Sequence, residues 1–348
     1  MSQLKNILFD GESLITPEAI SEEIFAKRDA RFHEQRSLGQ AELVLILNLA
    51  QQQFLRGNSP AEIIHAVAKR LHDLRKKYYS SVWGELIPIA QHHPVAEYLL
   101  QDPFSNWSFV KPRGYSGDAQ LLDFIYGHES ISAKVTAASP LGAALYECTR
   151  NSLSSAAVRE RRDILTRYVD HFAAQNGPGT EILTIAAGHL REANRSEALA
   201  NGQVKRWVAL DQDPMSIGAI ARDFGGTAVE AVDGSVRGLL GRKHELGQFD
   251  FVYAAGLYDY LADKVAITLT QRCLDMLKPG GTFLFANFAE GIDDDGFMET
   301  FMNWALLLRS EVDMWNIINA STGNDGFEAE VFLGENRNIV YGVIRKLS

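Results

Sequence analysis

Apolar residues recur at three- and four-residue intervals along the first hundred positions, and this spacing predicts helices over about 15–100. Leu43, Leu45, Ile46, Leu49, Phe54 and Leu55 mark one such stretch. Ser59-Pro60-Ala61-Glu62 reads as a helix start, with Ser59 able to cap and Pro60 suited to the first helical position. Ile63, Ile64, Ala66, Val67 and Leu71 then share a face. The pattern breaks over about 101–130, where aromatics mix with Pro, Gly and charge as in functional loops. Helical sequence returns from about Ala119 to Ala174, and Asn176-Gly177-Pro178-Gly179 marks a boundary. From about 180 the chain alternates strand and helix. Strands are expected at Glu181–Ala186, Arg206–Leu210, Thr227–Val232, Phe249–Ala254 and Thr282–Phe288. A hairpin is expected from Ala329–Leu333 and Asn338–Lys346. This is an α/β pattern: an open, mostly parallel sheet with one antiparallel strand at its edge, preceded by a helical region.

The run Ile182–Ile185 ends in Ala186-Ala187-Gly188, where a helix is expected to begin. About twenty residues later Trp207-Val208-Ala209-Leu210 stops at Asp211. A strand, a tight small-residue turn, a helix and a strand ending in a carboxylate build a nucleoside site. The small residues admit the backbone to the ligand, and the acid can accept both ribose hydroxyls. Asp211 could instead cap the helix begun by Pro214, although Asp213 is the better cap.

Over roughly 150–348, the order and spacing of motifs resemble the class I S-adenosylmethionine-dependent methyltransferases. Leu183–Leu190 stands at that family's glycine-rich loop, Arg206–Asp213 at its second strand and Val232-Asp233-Gly234 at its adenine edge. Phe249–Tyr253 matches the fourth strand, and Leu277-Lys278-Pro279-Gly280-Gly281-Thr282-Phe283 the turn before the fifth. The resemblance implies a Rossmann-like sheet with an antiparallel C-terminal hairpin, and cofactor contacts from Ala186, Ala187, Gly188, Asp211, Gln212, Asp233, Gly234 and Ala255. The chain departs from the family at Thr184, where an acid is usual, and keeps only Gly188 of the loop glycines. Lys111-Pro112-Arg113-Gly114-Tyr115-Ser116-Gly117-Asp118 and Ala254–Leu261 narrow the likeness to a bacterial subfamily with an N-terminal helical cap. Hydroxy-fatty-acid methyl ester synthases and azetidine-2-carboxylate synthases share these motifs. The resemblance thus implies a cap domain over 1–150 and a cofactor-binding domain over 151–348.

The chain has 348 residues, 46% hydrophobic and 22% charged, as expected for a globular protein. Its net charge of −10 argues against a nucleic-acid partner. No apolar run is long enough to span a membrane. Met1-Ser2-Gln3-Leu4-Lys5 does not begin a signal peptide, so a cytoplasmic location is expected. Cys148 and Cys273 are too few for a disulfide framework and form no zinc site with nearby ligands. Asp293-Asp294-Asp295 is expected to be a solvated loop, not a metal site. The sequence does not specify an oligomeric state.

A sulfonium is best met by aromatic faces, and Tyr115, Tyr258, Tyr260, Phe104 and Tyr146 are available. Tyr115, Arg113, Tyr258, Tyr146 and His189 are the expected catalytic set. Arg113 could hold an acceptor carboxylate bidentately, or pair with Asp118 and pin its loop. His189 could serve as a base, and Arg191 could pair with Glu192 at a helix start. Trp304 and Trp315 are expected to pack from one amphipathic helix with Phe301, Leu307 and Leu308. Methyl transfer to a carboxylate or hydroxyl of a small molecule is the first reading. Cyclisation of S-adenosylmethionine to azetidine-2-carboxylate is the second; the missing acid at Thr184 would favour the free amine it needs. A non-catalytic S-adenosylmethionine sensor is the third. NAD binding would want a fuller glycine fingerprint than Ala186–Leu190 provides.

Overall fold

The computed structural model describes residues 17–323 and 326–347; the N-terminal Met1–Lys5 segment lies outside them. Nine helices come first among the described residues: α1 (Pro17–Leu55), α2 (Pro60–Lys77), α3 (Ser80–Gln91), α4 (Ala96–Leu99), α5 (Pro103–Val110), α6 (Ala119–Tyr126), α7 (Ser132–Thr136), α8 (Pro140–Arg150) and α9 (Leu153–Asn176). α2 buries Ile63, Ile64, Val67, Leu71 and Leu74, and ends on Arg75, Lys76 and Lys77, which suit the negative end of its dipole. Ser59 begins it without a side-chain capping bond; Pro60 alone sets the start. The expected break at 101–130 is partly helix. Buried Asp102 accepts the amides of Phe104 and Ser105 and starts α5, and Asp118 accepts that of Leu121 and starts α6. Only the segment between them, entered through a left-handed Lys111 (φ 51°), is loop.

The sheet has seven strands: β1 (Thr180–Ile185), β2 (Val204–Asp211), β3 (Val229–Asp233), β4 (Phe249–Ala254), β5 (Leu277–Phe288), β6 (Phe327–Leu333) and β7 (Ile339–Lys346). Their order is β3-β2-β1-β4-β5-β7-β6. β1 to β5 run parallel, and β7 runs antiparallel to both β5 and β6. The reversed strand therefore lies inside the edge, not at it as expected, and β6 forms the edge. Lys278-Pro279-Gly280-Gly281, expected as a turn, is instead the start of β5, where the register with β4 slips. A side chain on Gly281 would stand 2.9 Å from the Phe249 carbonyl oxygen, so only glycine fits there.

Shorter helices complete the chain: α10 (Glu197–Ala200), α11 (Pro214–Asp223), α12 (Val236–Leu240), α13 (Asp263–Asp275), α14 (Asp295–Phe301) and α15 (Glu311–Thr322). No long helix follows β1. Trp304 and Trp315 do not share a helix either: Trp304 is buried between α14 and α15, whereas Trp315 lies on α15, which opens with a Ser310/Asp313 capping box. No helix among the described residues is long and apolar enough to cross a membrane.

Alternation along the strands divides the core. Ile182, Trp207, Phe251 and Leu284 face the N-terminal helices and belong to one continuous apolar cluster with them. Leu183, Val208, Val252 and Phe283 face α13 and α15. Of the acids at 293–295, Asp293 is exposed as expected, but Asp294 and Asp295 are not. Buried Asp295 receives Arg75 at 2.9 Å and His72 at 2.8 Å, while Arg75 also reaches Glu299. Asp294 accepts Ser154 Oγ at 2.6 Å, and burial pushes its carboxyl up to about 6. Ser154 ties the start of α14 to α9, while the Arg75 and His72 bonds clamp α2 against α14, with Gly296 at the crossing. A Cβ there would lie 2.6 Å from the Leu71 carbonyl carbon. Gly296→Ala should therefore overpack this crossing and cost about 2 kcal/mol; a urea midpoint equal to that of the wild type would contradict the assignment.

Candidate nucleoside site

The turn after β1 is built on left-handed backbone. Ala186 (φ 56°), Gly188 (φ 55°) and Leu190 (φ 51°) all lie in that region, and two of the three carry side chains. Such residues cost on the order of 1 kcal/mol each, and persist where surroundings over-determine them. The surroundings are visible. The Ala187 amide donates to the Leu210 carbonyl at 3.1 Å, and the Gly188 amide to Asp211 Oδ2 at 2.7 Å. Asp211 Oδ1 accepts the Asp213 amide at 2.8 Å, and the Asp211 carbonyl accepts the Gly234 amide at 2.9 Å. One residue at the end of β2 thus ties together the turns after β1, β2 and β3. Burial raises the Asp211 carboxyl above the ordinary range. Exposed Gln212 and Asp233 and half-buried Ala255 lie on the same carboxyl edge of the sheet.

Asp213 caps α11 through the Met215 amide, as expected. It also receives Arg113 Nη1 at 2.7 Å, the Tyr115 hydroxyl at 3.1 Å and Ser216 Oγ at 2.9 Å. Burial opposes ionisation of Asp213, but these donors prevail and hold its carboxyl below the usual range. Burial, then the charges of Asp213 and Asp211, push the Tyr115 phenol well up. The loop carrying Arg113 and Tyr115 is therefore fastened over the end of β2. Arg113 Nε lies 3.9 Å from Asp118, a weak contact beside its bond to Asp213.

His189 is not free to act as a base in this arrangement. Its Nδ1 lies 2.9 Å from Asp123 Oδ2, and its Nε2 faces Arg113 Nη2 at 3.2 Å. Arg191 does not pair with Glu192; it grips Asp123 with Nε at 2.8 Å and Nη2 at 2.9 Å. Glu192 is buried and accepts the Tyr253 hydroxyl at 2.5 Å. Thr184 Oγ1, where the acid was missed, receives the Trp207 indole at 2.8 Å.

Tyr146 and Tyr258 stand apart from this edge. Tyr146 donates to the Phe124 carbonyl within the helical core, and burial pushes its phenol up to about 12. Tyr258 is fully buried on the far face of the sheet against Phe285, with its hydroxyl 2.7 Å from Thr270 Oγ1. Two residues on, exposed Tyr260 accepts the Trp304 indole at 2.7 Å.

A cavity of about 880 Å³ opens beside this edge, between the N-terminal helices and the end of β5. That is ample for a small metabolite. Phe104, Ile125, Val158, Phe288, Met302 and Trp304 give it a largely apolar wall. Buried Asp259 accepts the Phe288 amide at 2.6 Å next to it, and burial raises its carboxyl to about 6. Sequence reasoning missed Asp123, Arg161 and Asp259, and gave Glu192 the wrong partner. Asp123 alone left a signal, a lone acid within the apolar run Leu121–Ile125.

Asp123 lies on α6, facing the turn after β1, with no exposed surface. Burial opposes its charge, but His189 and Arg191 prevail and hold the folded carboxyl well below its ordinary value. Its stabilisation is then complete above the unfolded carboxylate pKa of about 4 and fades as the pH falls towards the folded value. Asp123→Asn should cost about 3 kcal/mol near neutral pH. Chemical denaturation of both proteins should show that difference narrowing below about pH 4, and a pH-independent gap would be the contrary result.

No protein-family model matches the chain, and no curated protein does. In fold it is similar to a solved structure described as a possible exported protein from Bordetella parapertussis, with 18% identity, a TM-score of 0.54, and coverage of 89% of this chain and 97% of that one. It is less similar to the N-methyltransferase NodS from Bradyrhizobium japonicum, solved with S-adenosyl-L-homocysteine: 17% identity, TM-score 0.40, 57% of this chain and 90% of that one. The plantazolicin methyltransferase BamL, also solved with S-adenosyl-L-homocysteine, gives 9% identity and a TM-score of 0.43 over 72% of this chain and 99% of that one. The mostly parallel seven-stranded sheet, with its reversed strand inserted before the edge, is a Rossmann-like architecture.

Proposed function

We propose that the protein is an S-adenosylmethionine-dependent methyltransferase acting on a small molecule, with residues 1–150 as the cover over its site. The observation that carries this reading is the Asp211 carboxylate clasping the Gly188 amide at the carboxyl edge of a sheet whose β5 end lines a large apolar cavity. The residues fit the cosubstrate. Asp211 spends one lone pair of each oxygen on a backbone amide and keeps another on each for a ribose diol. Ala186, Ala187 and Gly188 offer close backbone approach, and Gln212, Asp233, Gly234 and Ala255 border the adenine side. S-adenosylmethionine would supply a methyl group on a sulfonium leaving group. Arg113 and Tyr115 hold the covering loop to Asp213, and the helices give the cavity a largely apolar wall.

A carboxylate is favoured as the acceptor group over a hydroxyl. A hydroxyl needs a base, and both nitrogens of His189 are engaged. A carboxylate needs none, and loss of water in an apolar cavity sharpens it as a nucleophile.

The test is to incubate the protein with S-adenosylmethionine, alone and with a panel of apolar carboxylic acids, and to identify products by mass spectrometry. S-adenosylhomocysteine and a methyl ester, formed only with an acid, are expected. Methylthioadenosine and azetidine-2-carboxylate from S-adenosylmethionine alone would replace this reading with cyclisation. Tight binding without any product would leave a sensor.

A further inference from the structure

We propose that Arg161 is the anion-binding residue of this site and holds a carboxylate of a bound small molecule, an assignment that rests on the function proposed above. Arg161 lies on α9 and is only 4% exposed. Its Nη1 is buried without any hydrogen-bond partner, and no acid forms an ion pair with it among the described residues. The guanidinium lies against Gly256 in the turn after β4, where a Cβ would stand 3.5 Å from Nη2. One helical turn earlier, Val158 lines the apolar cavity, as does Trp304, whose indole bonds Tyr260. Arg161 itself does not line the cavity; it lies one turn along α9 from Val158, which does, and against the turn after β4.

Two buried acids, Glu192 and Asp259, feel its charge. Neither is bonded to it: Glu192 takes the Tyr253 hydroxyl and Asp259 the Phe288 amide. A desolvated guanidinium without a partner is strongly unfavourable, and an entering anion would relieve it. Its planar fork of N–H donors matches a carboxylate in two-point contact. Arg113, the arginine expected to do this from sequence, is committed to Asp213. The carboxylate could belong to the amino-acid part of the cosubstrate or to an acid acceptor.

The experiment is calorimetric binding to wild type and Arg161→Met, which keeps an unbranched apolar chain and removes the charge. The probes are S-adenosylhomocysteine, methylthioadenosine (the nucleoside thioether without the amino acid) and decanoate. Arg161→Met should melt no lower than wild type without ligand. It should lose at least tenfold in affinity for a carboxylate probe while methylthioadenosine binding stays unchanged. Loss confined to S-adenosylhomocysteine assigns the cosubstrate's carboxylate; loss confined to decanoate assigns the acceptor's. Unchanged affinity for both acids would overturn the proposal, above all if the variant melts lower, since Arg161 would then be a counter-charge for Glu192 and Asp259. If wild type binds neither nucleoside, the cosubstrate reading fails, and decanoate alone decides for Arg161. Should the methionine variant not fold, Arg161→Lys, which keeps the charge without the fork, should show the same selective loss in weaker form.

Discussion

The buried carboxylate of Asp123 joins the two halves of the chain. It stands on α6, yet its partners His189 and Arg191 belong to the segment after β1. Removing a carboxylate from water is costly, and only several charge-assisted donors can offset it. Asp123 has three nitrogen donors plus the Ser130 hydroxyl at 2.8 Å. Because those donors flank Leu190, the ion cluster fixes the turn whose left-handed residues shape the candidate site. Cap position and turn conformation are therefore one property, not two.

The same coupling extends through the core. The N-terminal helices do not close an apolar core among themselves; they share one with a face of the sheet. The cavity lies inside this shared layer, bounded by α2, α5, α9, α14 and the end of β5. Filling it with protein side chains would gain burial. Its persistence is held by polar clamps around it: Asp295 with Arg75 and His72 on one side, and Asp294 with Ser154 on another. The clamps keep α2 from collapsing onto β5.

The strands and the carboxyl edge were legible because strand periodicity and chain-terminating acids are local signals. Trp207–Asp211 announces a buried strand from its own residues. The N-terminal region was legible as helix but not in its breaks. Asp102-Pro103 reads as a turn dipeptide, and only the finding that Asp102 accepts two amides shows it to be a helix start. Tyr258 and Tyr260 illustrate the limit. Their spacing puts both near the end of β4, but the 3-10 turn Tyr258–Tyr260 sends one under β5 and leaves the other exposed. No one-dimensional pattern carries that rotation. Asp294 and Asp295 were misjudged for the same reason, since burial of Asp295 depends on an arginine more than two hundred residues away.

Arg113 and Arg161 show how context, not residue type, decides which cation can receive a ligand. Arg113 sits in a loop motif that advertises function, and its guanidinium is consumed by Asp213, Ser216 and His189. In this arrangement it fastens its loop to the end of β2. Arg161 sits mid-helix among Arg159 and Arg162, where a charge run would ordinarily mark a solvated face. The helix instead turns Arg161 inward while Arg162 lies over the Tyr126 ring. A protein that only needed counter-charge there would have drawn Glu192 or Asp259 into contact with it, because the attraction grows steeply as water leaves. Both acids are held back on other donors, Tyr253 and the Phe288 amide. The fold thus leaves the Arg161 guanidinium without a hydrogen-bond partner against the turn after β4, where, on the proposal above, an anion's binding energy would orient it for reaction.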